Sequence, residues 1–279
     1  MATGTLYIVG TPIGNLEDLT HRAARVLAEA DVIAAEDTRR TLHLLNHLGI
    51  SKPIVSYHEH NRRAAGGKLI AELLQGRSVA LVSDAGMPVV SDPGAELVQE
   101  AATQGIAVTV IPGPCAVSSA LALSGMDGSR FLFEGFLPRA GKDRKLALEA
   151  LKNERRTMVF YEAPHRMKKT LSDLADALGD RNAVVCNDIT KFYERVDRAT
   201  LSGLLALFEA TQPKGEYVLV VQGSTEQPQA PCFDDITPGE HVQLLMAQGL
   251  PKMEAVKRAA RERGVSKNEV YQAALDLEE

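Results

Sequence analysis

Short apolar runs alternate with amphipathic stretches along the first 113 residues of the chain. Runs of about four β-prone residues bounded by turn formers are typical of buried strands, and they predict strands at 6–9, 32–35, 54–57, 79–82 and 108–111. Between these runs, apolar residues recur at helical spacing and predict helices at 20–30, 39–48, 61–75 and 95–104. Strands that alternate with helices in this way predict a parallel sheet in a layered α/β domain, which we place at 1–113.

The stretch 79–94 joins the central predicted strand to a candidate ligand loop. Its strand is apolar throughout, as in a parallel strand covered on both faces, and Gly86 lets the backbone approach a ligand closely. We expect Asp92 to cap the following helix and Pro93 to be the first helical residue. Ligands of open α/β sheets bind outside the carboxyl ends of the strands, so Asp84 is the first candidate site residue.

The same alternation continues beyond residue 113 and predicts a second α/β domain at 114–223. Its predicted strands begin with 131–136 and continue with 157–161, 183–186 and 217–221. Its predicted helices cover 115–124, 145–151, 164–178 and 201–211. The fold class is therefore α/β, with two successive sheet-forming halves.

The end of the chain has a different pattern. Residues 224–238 are rich in turn formers without apolar periodicity, which is typical of a linker. Three short predicted helices follow at 240–248, 252–263 and 267–277, so 239–279 is predicted to be a small helical domain resembling a helix-turn-helix. Its basic residues fit two interpretations equally: ion pairs within the helices, such as Glu254 with Arg258, or a contact with nucleic acid.

Composition narrows the class of protein. The 279 residues are 45% hydrophobic and 24% charged, and no apolar run approaches the length of a membrane-spanning helix, so no membrane role is predicted. A net charge of −5 argues against a protein that coats nucleic acid through bulk charge. The three cysteines fit neither a disulfide framework nor a zinc site, and no export signal is visible, so we expect a cytoplasmic protein without a bound metal.

Two loops that follow predicted strands carry candidate chemistry. Residues 10–14 stand where backbone N–H groups can face a polar ligand, but they lack the spacing of a dinucleotide or NTP loop, and a plain turn is equally compatible. In 36–40, Asp37 fits ordinary helix capping, whereas Arg39 and Arg40 are suited to gripping phosphate oxygens.

Two further stretches, in the second half of the chain, are candidate functional segments. Residues 161–166 place Glu162, His165 and Arg166 at a strand–helix junction, although such a histidine is more often a surface or capping residue. Residues 139–145 form a basic segment that we interpret as a flexible, phosphate-contacting arm, against the simpler alternative of a solvated loop.

Taken together and in order, nine motifs resemble the tetrapyrrole-methylase-like family of S-adenosylmethionine-dependent methyltransferases, over nearly the whole chain. These motifs are TPIGNL (11–16), AEDTR (35–39), ALVSDAG (80–86), DPG (92–94), PGPCA (112–116), EGFLP (134–138), FYE (160–162), HR (165–166) and TK (190–191). Within the family, the chain is most similar to bacterial enzymes that methylate a cytidine 2′-hydroxyl in 16S ribosomal RNA.

The resemblance implies two α/β/α lobes with S-adenosylmethionine in the cleft between them, and usually a homodimer. By position, it implies that the methyl donor contacts Pro12, Asp84, Met87, Cys115, Ala116, Glu162, Gly215 and Glu216. The implied substrate is 16S ribosomal RNA or the 30S subunit, held by Arg39, Arg40, Lys142, Arg144, Arg166 and Lys191. The ribose hydroxyl must lose a proton, and Asp37, Glu162 and His165 are the candidates to accept it.

One departure and two alternatives accompany this interpretation. Asn187 and Asp188 stand where the family pattern has Arg-Glu, which puts the carry-over of a function to Asn187 in doubt.

A small-molecule methyltransferase acting on a tetrapyrrole is the first alternative function, although the arginine clusters suit phosphates better. A non-enzymatic RNA-binding protein that uses the terminal helices is the second.

Overall fold

The five strands of the first half form one fully parallel sheet in the order β3-β2-β4-β1-β5. The strands are β1 (Thr5–Val9), β2 (Val32–Ala35), β3 (Ile54–Ser56), β4 (Val79–Val82) and β5 (Ala107–Ile111). The helices are α1 (His21–Glu29), α2 (Thr38–His47), α3 (Arg62–Leu74) and α4 (Ala95–Thr103). Helices α3 and α4 cover one face of the sheet, and α1 and α2 cover the other, so the expected α/β/α layering is confirmed.

The second sheet has the order β6-β7-β10-β8-β9 and is mixed. Its strands are β6 (Phe131–Phe136), β7 (Thr157–Glu162), β8 (Asn182–Asn187), β9 (Arg195–Thr200) and β10 (Tyr217–Val221). Only β6 and β7 are parallel, because β10 enters between β7 and β8 in the opposite direction and β9 returns as a hairpin. The sequence analysis predicted an α/β domain here without assigning strand directions, and it did not predict β9.

The helices of the second half lie on both faces of this sheet. They are α5 (Ala116–Ser124), α6 (Gly141–Leu151), α7 (Met167–Leu178) and α8 (Leu201–Glu209). Helices α6, α7 and α8 share one core with the sheet, and α5 packs on the opposite face. The start of α6 corrects the interpretation of 139–145 as a flexible arm, since most of that segment is the first turns of a helix.

The computed structural model describes residues 3–225 and 236–275, which fall into two compact units, Met1–Ser224 and Thr225–Glu279. Most of the predicted linker, together with Cys232 and residues 276–279, lies outside the described residues. The second unit contains α9 (Pro238–Ala247), α10 (Lys252–Arg263) and α11 (Lys267–Leu275), which share a small core of their own. None of the described helices is long and apolar enough to cross a bilayer.

Candidate functional site

A cavity of about 390 Å³, here named the cleft cavity, opens where the carboxyl ends of the first sheet face the second sheet. The first half contributes Ile13, Asp84, Ala85, Gly86, Met87, Val90, Ser91 and Asp92. The second half contributes Cys115, Ala116, Phe136, Tyr161, Glu162, Ala163, Pro164, Ile189, Gly215, Glu216, Tyr217 and Val218. The predicted ligand loop after β1, through Ile13, and the one after β4, through residues 84–92, thus border the same cavity.

Close backbone approach holds the loops of the first half together. The N–H of Thr11 donates to the carbonyl of Gly86 at 2.9 Å, and the N–H of Gly86 donates back at 3.1 Å. A Cβ on Gly10 would lie 2.8 Å from Gly113 and 2.7 Å from the sulfur of Met87, so no side chain fits at Gly10. Glycine is required here because the loops after β1, β4 and β5 touch through their backbones.

Four non-glycine residues of the described chain have a positive φ, and all lie in two loops that border the cleft cavity. Val89 (φ 73°) and Ser91 (φ 66°) follow β4, and Asp188 (φ 48°) and Thr190 (φ 65°) follow β8. Such conformations cost free energy and concentrate at ligand sites, where the surrounding structure enforces them. Strain in both walls therefore points to the cleft cavity as a functional site.

Several acidic side chains lie on the wall of the cleft cavity that the first half of the chain forms. The carboxylate of Asp84 accepts the N–H of Asp37 at 2.9 Å and lies 3.7 Å from the guanidinium of Arg40. Burial, together with the charges of Glu36 and Asp84, raises the pKa of Asp92 to about 6. Burial and the charge of Asp84 also raise the pKa of Glu36. This wall therefore favours a cationic or hydroxyl-rich ligand group.

The expected helix cap at Asp92 is wrong. Helix α4 begins at Ala95 with Gly94 as its N-cap, and the Asp92 side chain lies in the cleft cavity instead. Gly94 has a φ of 144°, and a Cβ there would come within 2.8 Å of Leu81 and Val89. Since the backbone packs this closely under β4, the chain turns into the helix two residues later than the Asp-Pro motif suggests.

Glu162 is a buried member of the opposite wall, with 3% of its surface exposed. One carboxylate oxygen accepts the N–H of Ala163 at 2.8 Å and pairs with the Nε of Arg166 at 3.1 Å. The other oxygen accepts the hydroxyl of Thr170 at 2.6 Å. These partners fix the carboxylate and compensate its burial.

A charged cluster closes the cleft cavity at the end of β8. The ammonium of Lys191 lies 2.8 Å from both Asp188 and Glu216. Burial of Lys191 opposes its charge, but its hydrogen bonds to Asp188 and Glu216 raise its pKa overall. Asn187, at the departure from the family pattern, donates to the carbonyls of Lys214 and Glu216 at 3.1 and 3.2 Å. It thereby fixes the segment that carries Gly215.

A second cavity of about 530 Å³, here named the side cavity, shares Asp84 and Glu216 with the cleft cavity. Pro12 and Lys191 line it, together with Arg40, His43 and His47 of α2. The sequence analysis missed the two histidines, although residues 40, 43 and 47 have the spacing of one helical face and could have revealed them.

A third cavity of about 340 Å³, here named the cationic cavity, is lined by Arg139, Arg144, His165, Arg166, Lys169 and Thr170. Arg144 was expected to contact substrate from a flexible segment, but only 4% of its surface is exposed. Its guanidinium bonds to Asp173 at 2.6 Å and to Thr170 at 2.9 Å within the protein. The structure thus makes Arg144 a framework residue rather than a mobile contact.

The predicted site residues therefore separate into three groups. The cleft cavity collects Asp84, Met87, Cys115, Ala116, Glu162, Gly215 and Glu216, and the side cavity collects Pro12, Arg40 and Lys191. The cationic cavity collects Arg144, His165 and Arg166, whereas Asp37, Arg39 and Lys142 line none of the three.

Asp37 has the capping role that the simpler interpretation gave it. Its carboxylate accepts the N–H of Arg39 at 2.8 Å at the start of α2 and also pairs with the guanidinium of Arg39. The hydrogen bonds from Arg39 lower the pKa of Asp37 to about 2.

Three aromatic residues of the cleft cavity, Phe136, Tyr161 and Tyr217, were also missed. Phe136 and Tyr161 are paired in register at the ends of β6 and β7, with ring centroids 5.6 Å apart. Burial raises the pKa of Tyr161, so its hydroxyl stays neutral. Among the residues that the structure describes, no group of His, Cys, Asp or Glu is arranged to hold a metal ion.

Comparisons with known proteins agree with this arrangement. The family model for Tetrapyrrole (Corrin/Porphyrin) Methylases matches residues 5–205. A protein from Halalkalibacterium halodurans, named ribosomal RNA small subunit methyltransferase I, is 49% identical over 270 residues, covering 96% of this chain and 93% of that protein. A protein of the same name from Thermotoga maritima is 49% identical over 220 residues, covering 79% of this chain and 99% of its own. About a fifth of this chain thus has no counterpart there, a length similar to that of the C-terminal unit.

Among solved structures, uroporphyrin-III C-methyl transferase from Thermus thermophilus, complexed with S-adenyl homocysteine, is similar with a TM-score of 0.56 and 21% identity. The match covers 78% of this chain and 97% of that chain. At this level of sequence identity, the similarity shows that the two proteins share a fold.

Proposed function

This chain belongs to the tetrapyrrole methylase family, and from that premise we propose that it transfers a methyl group from S-adenosylmethionine to a cytidine 2′-hydroxyl in the decoding region of 16S ribosomal RNA. The names of the curated relatives support the RNA substrate. The observation that carries the proposal is the cleft cavity, where most of the residues expected to contact the methyl donor meet.

The cleft cavity fits such a donor in size and chemistry. Its volume is within the range of about 300–1,000 Å³ that is usual for small-molecule sites. Asp84, Asp92 and Glu216 provide carboxylates suited to an ammonium group and to ribose hydroxyls, while Met87 and Val90 provide apolar surface. The donor supplies a methyl group on a positively charged sulfur, which loses its charge during transfer.

The chain contributes to rate mainly through orientation in an enclosed space. Holding two reactants in line is worth about 7–11 kcal/mol when the alignment is good. Carboxylates close to the sulfonium would stabilise the charge that the reaction removes, so they would favour the ground state. We therefore propose that the neutral segment at Ala85 and Gly86, with Cys115 and Ala116 opposite, surrounds the sulfur.

We propose that one of Asp37, Glu162 and His165 accepts the proton of the ribose hydroxyl. We add Asp92 to these candidates because it lines the cleft cavity. A group whose pKa lies near the working pH is the most effective base. By that criterion Asp92, with a pKa of about 6, is better suited than Asp37, with a pKa of about 2. Single-turnover rates of D37A, D92N, E162A and H165A test the set; four wild-type rates would exclude a general base among them.

For the RNA, we propose contacts on both sides of the cleft cavity. Arg40 and Lys191 border the side cavity next to Asp84, where His43 and His47 add donors for phosphate or base atoms. Arg39 and Lys142 lie on the surface beyond the cavities and are proposed as peripheral phosphate contacts. Arg166 is proposed to act from the cationic cavity.

One experiment tests the proposed function directly. Purified protein is incubated with labelled S-adenosylmethionine and hypomethylated 30S subunits, and the product is mapped by mass spectrometry. We expect one methyl group on a cytidine ribose in 16S RNA. Methylation of a tetrapyrrole instead, or donor binding without any RNA product, would contradict the proposal. The expected homodimer and the cytoplasmic location belong to the same proposal, and sedimentation of the purified protein tests the former.

A further inference from the structure

We propose that the cationic cavity binds a backbone phosphate of the RNA substrate, with Arg139, His165 and Lys169 as the contacting side chains. The inference rests on the proposed function, because it assigns the occupant as RNA. It concerns a site separate from the cleft cavity, places Arg139 of the basic segment 139–145 in that site, and adds Lys169, which the sequence analysis did not select.

The back of the cationic cavity is built from a cation that cannot move. The three guanidinium nitrogens of Arg144 donate to Asp173 at 2.6 Å, to the carbonyl of Pro138 at 2.9 Å and to the hydroxyl of Thr170 at 2.9 Å. Since the side chain is buried and each of its three nitrogens donates a hydrogen bond to the protein, its charge is fixed in place. A fixed charge attracts an anion without any loss of side-chain freedom on binding.

Arg166 is fixed in the same way. Its Nε pairs with Glu162 at 3.1 Å, and a terminal nitrogen donates to the carbonyl of Leu137 at 2.6 Å. The lining therefore holds four cations, Arg139, Arg144, Arg166 and Lys169, whereas among the described residues the carboxylates bonded to them are Asp173 and Glu162. The imbalance leaves the cavity positive.

The front of the cavity has side chains available for a ligand. The side chains of Arg139 and His165 make no hydrogen bond or ion pair with any residue that the structure describes. Lys169 is 62% exposed and lies 3.1 Å from Asp173, a carboxylate that Arg144 already neutralises. A phosphate needs several converging donors, and these three side chains can supply them.

The location favours RNA over a free anion. Ala163 and Pro164 line the cleft cavity, and the next two residues, His165 and Arg166, line the cationic cavity. The hydroxyl of Thr170, which lines the cationic cavity, donates to Glu162 in the cleft cavity. A ribose held in the cleft cavity carries phosphates on both sides, so the neighbouring cationic cavity lies along the path of the RNA backbone.

The test is the salt dependence of 30S binding by the double variant R139A/K169A. Each phosphate contact adds about 0.7–0.9 to the slope of log affinity against log salt. We expect the double variant to bind 30S subunits more weakly and to lose roughly 0.7–0.9 from this slope, the value for one phosphate, with an unchanged Kd for S-adenosylmethionine. R139K, which keeps the charge, should keep the wild-type slope, and the exposed residue Lys68 on α3 provides the control K68A.

The outcomes separate this inference from the proposed function. A wild-type slope in the double variant would overturn the phosphate site even if wild-type protein methylates 16S RNA. A reduced slope would support the site even if the methylated atom is another one. Calorimetric binding of inorganic phosphate that R139A/K169A abolishes, together with an unchanged 30S slope, would make the cavity a free-anion site and would also overturn the inference.

Discussion

Among the residues that line the cleft cavity, Gly215 is the one where we expect an added methyl group to disturb the structure most. It has a φ of 88°, and a Cβ there would overlap the carboxylate of Asp188. That carboxylate accepts the ammonium of Lys191 at 2.8 Å and the N–H of Glu216 at 3.3 Å. G215A must therefore distort the backbone and also displace the group that holds the end of β8 against the start of β10.

The magnitude can be built from two parts. A side chain in the left-handed region costs about 1–2 kcal/mol. Displacing a charge-assisted hydrogen bond costs roughly a further 1.5–3 kcal/mol. We therefore expect G215A to lower the free energy of unfolding by about 3–5 kcal/mol and to weaken S-adenosylmethionine binding, because Gly215 and Glu216 line the cleft cavity.

Urea denaturation measures the first effect and calorimetry with the donor measures the second. The matched control is G105A, because Gly105 has a φ of 69° and open space around the position of a Cβ. It should lose only the backbone part, about 1–2 kcal/mol, and keep its donor affinity. If G215A were no less stable than G105A, the overlap with Asp188 would be refuted. Adding D188A to G215A should recover part of the loss, as expected for neighbouring residues.

Three further predictions follow from the described contacts. Ionisation of Asp92 destabilises the folded state as pH rises from about 4 through 6, because its pKa is raised from 3.8 to about 6. Because Asp92 is partly exposed and solvent screens part of this effect, D92N should unfold in urea with about 1–2 kcal/mol more stability than wild type at pH 8 and with equal stability at pH 3, and equality at both would contradict the shift. T170V removes one hydrogen-bond partner from Glu162 and one from Arg144 and should cost about 1–3 kcal/mol in the same assay, whereas T103V at an exposed position of α4 should be nearly neutral. A chain ending at Ser224 should keep its donor affinity in calorimetry, since every residue of the cleft cavity precedes that point, and a tenfold loss would show that the C-terminal unit supports the site.

The first sheet could be predicted from sequence because its central strands are buried on both faces. Strands β2 and β4 are buried at every residue, so their apolar runs are continuous and bounded by turn formers. In contrast, β9 at Arg195–Thr200 is a half-exposed edge strand with three charged residues, and nothing in its composition distinguishes it from a loop.

Strand direction in the second sheet could not be predicted for a different reason. The sequence shows apolar runs separated by helices, which suggests parallel connections, but β10 is placed by packing between two strands that precede it. Which neighbours a strand chooses depends on contacts distant in sequence, and local patterns do not contain them.

The same distinction between local patterns and distant contacts applies to the residues of the candidate site. Asp84 could be predicted as a site residue because it follows the carboxyl end of a buried strand, whereas Glu162 and Gly215 were placed beside it by the family resemblance. The burial of Arg144 could not be predicted, since it depends on Thr170 and Asp173, which are 26 and 29 residues away on another helix. Asp92 was misassigned because its Asp-Pro-Gly motif is equally typical of a helix start.

The position of β10 has a consequence for the order in which the protein is made. This strand is the last of the first unit to be synthesised, yet it forms the middle of its sheet, and the residues at its start complete one side of the cleft cavity, the proposed donor site. A nascent chain can assemble the parallel sheet early, but until residue 221 has left the translating ribosome, the second sheet has an open slot and exposed edges. Newly made protein thus acquires its ability to bind a methyl donor in one late step, when that slot is filled.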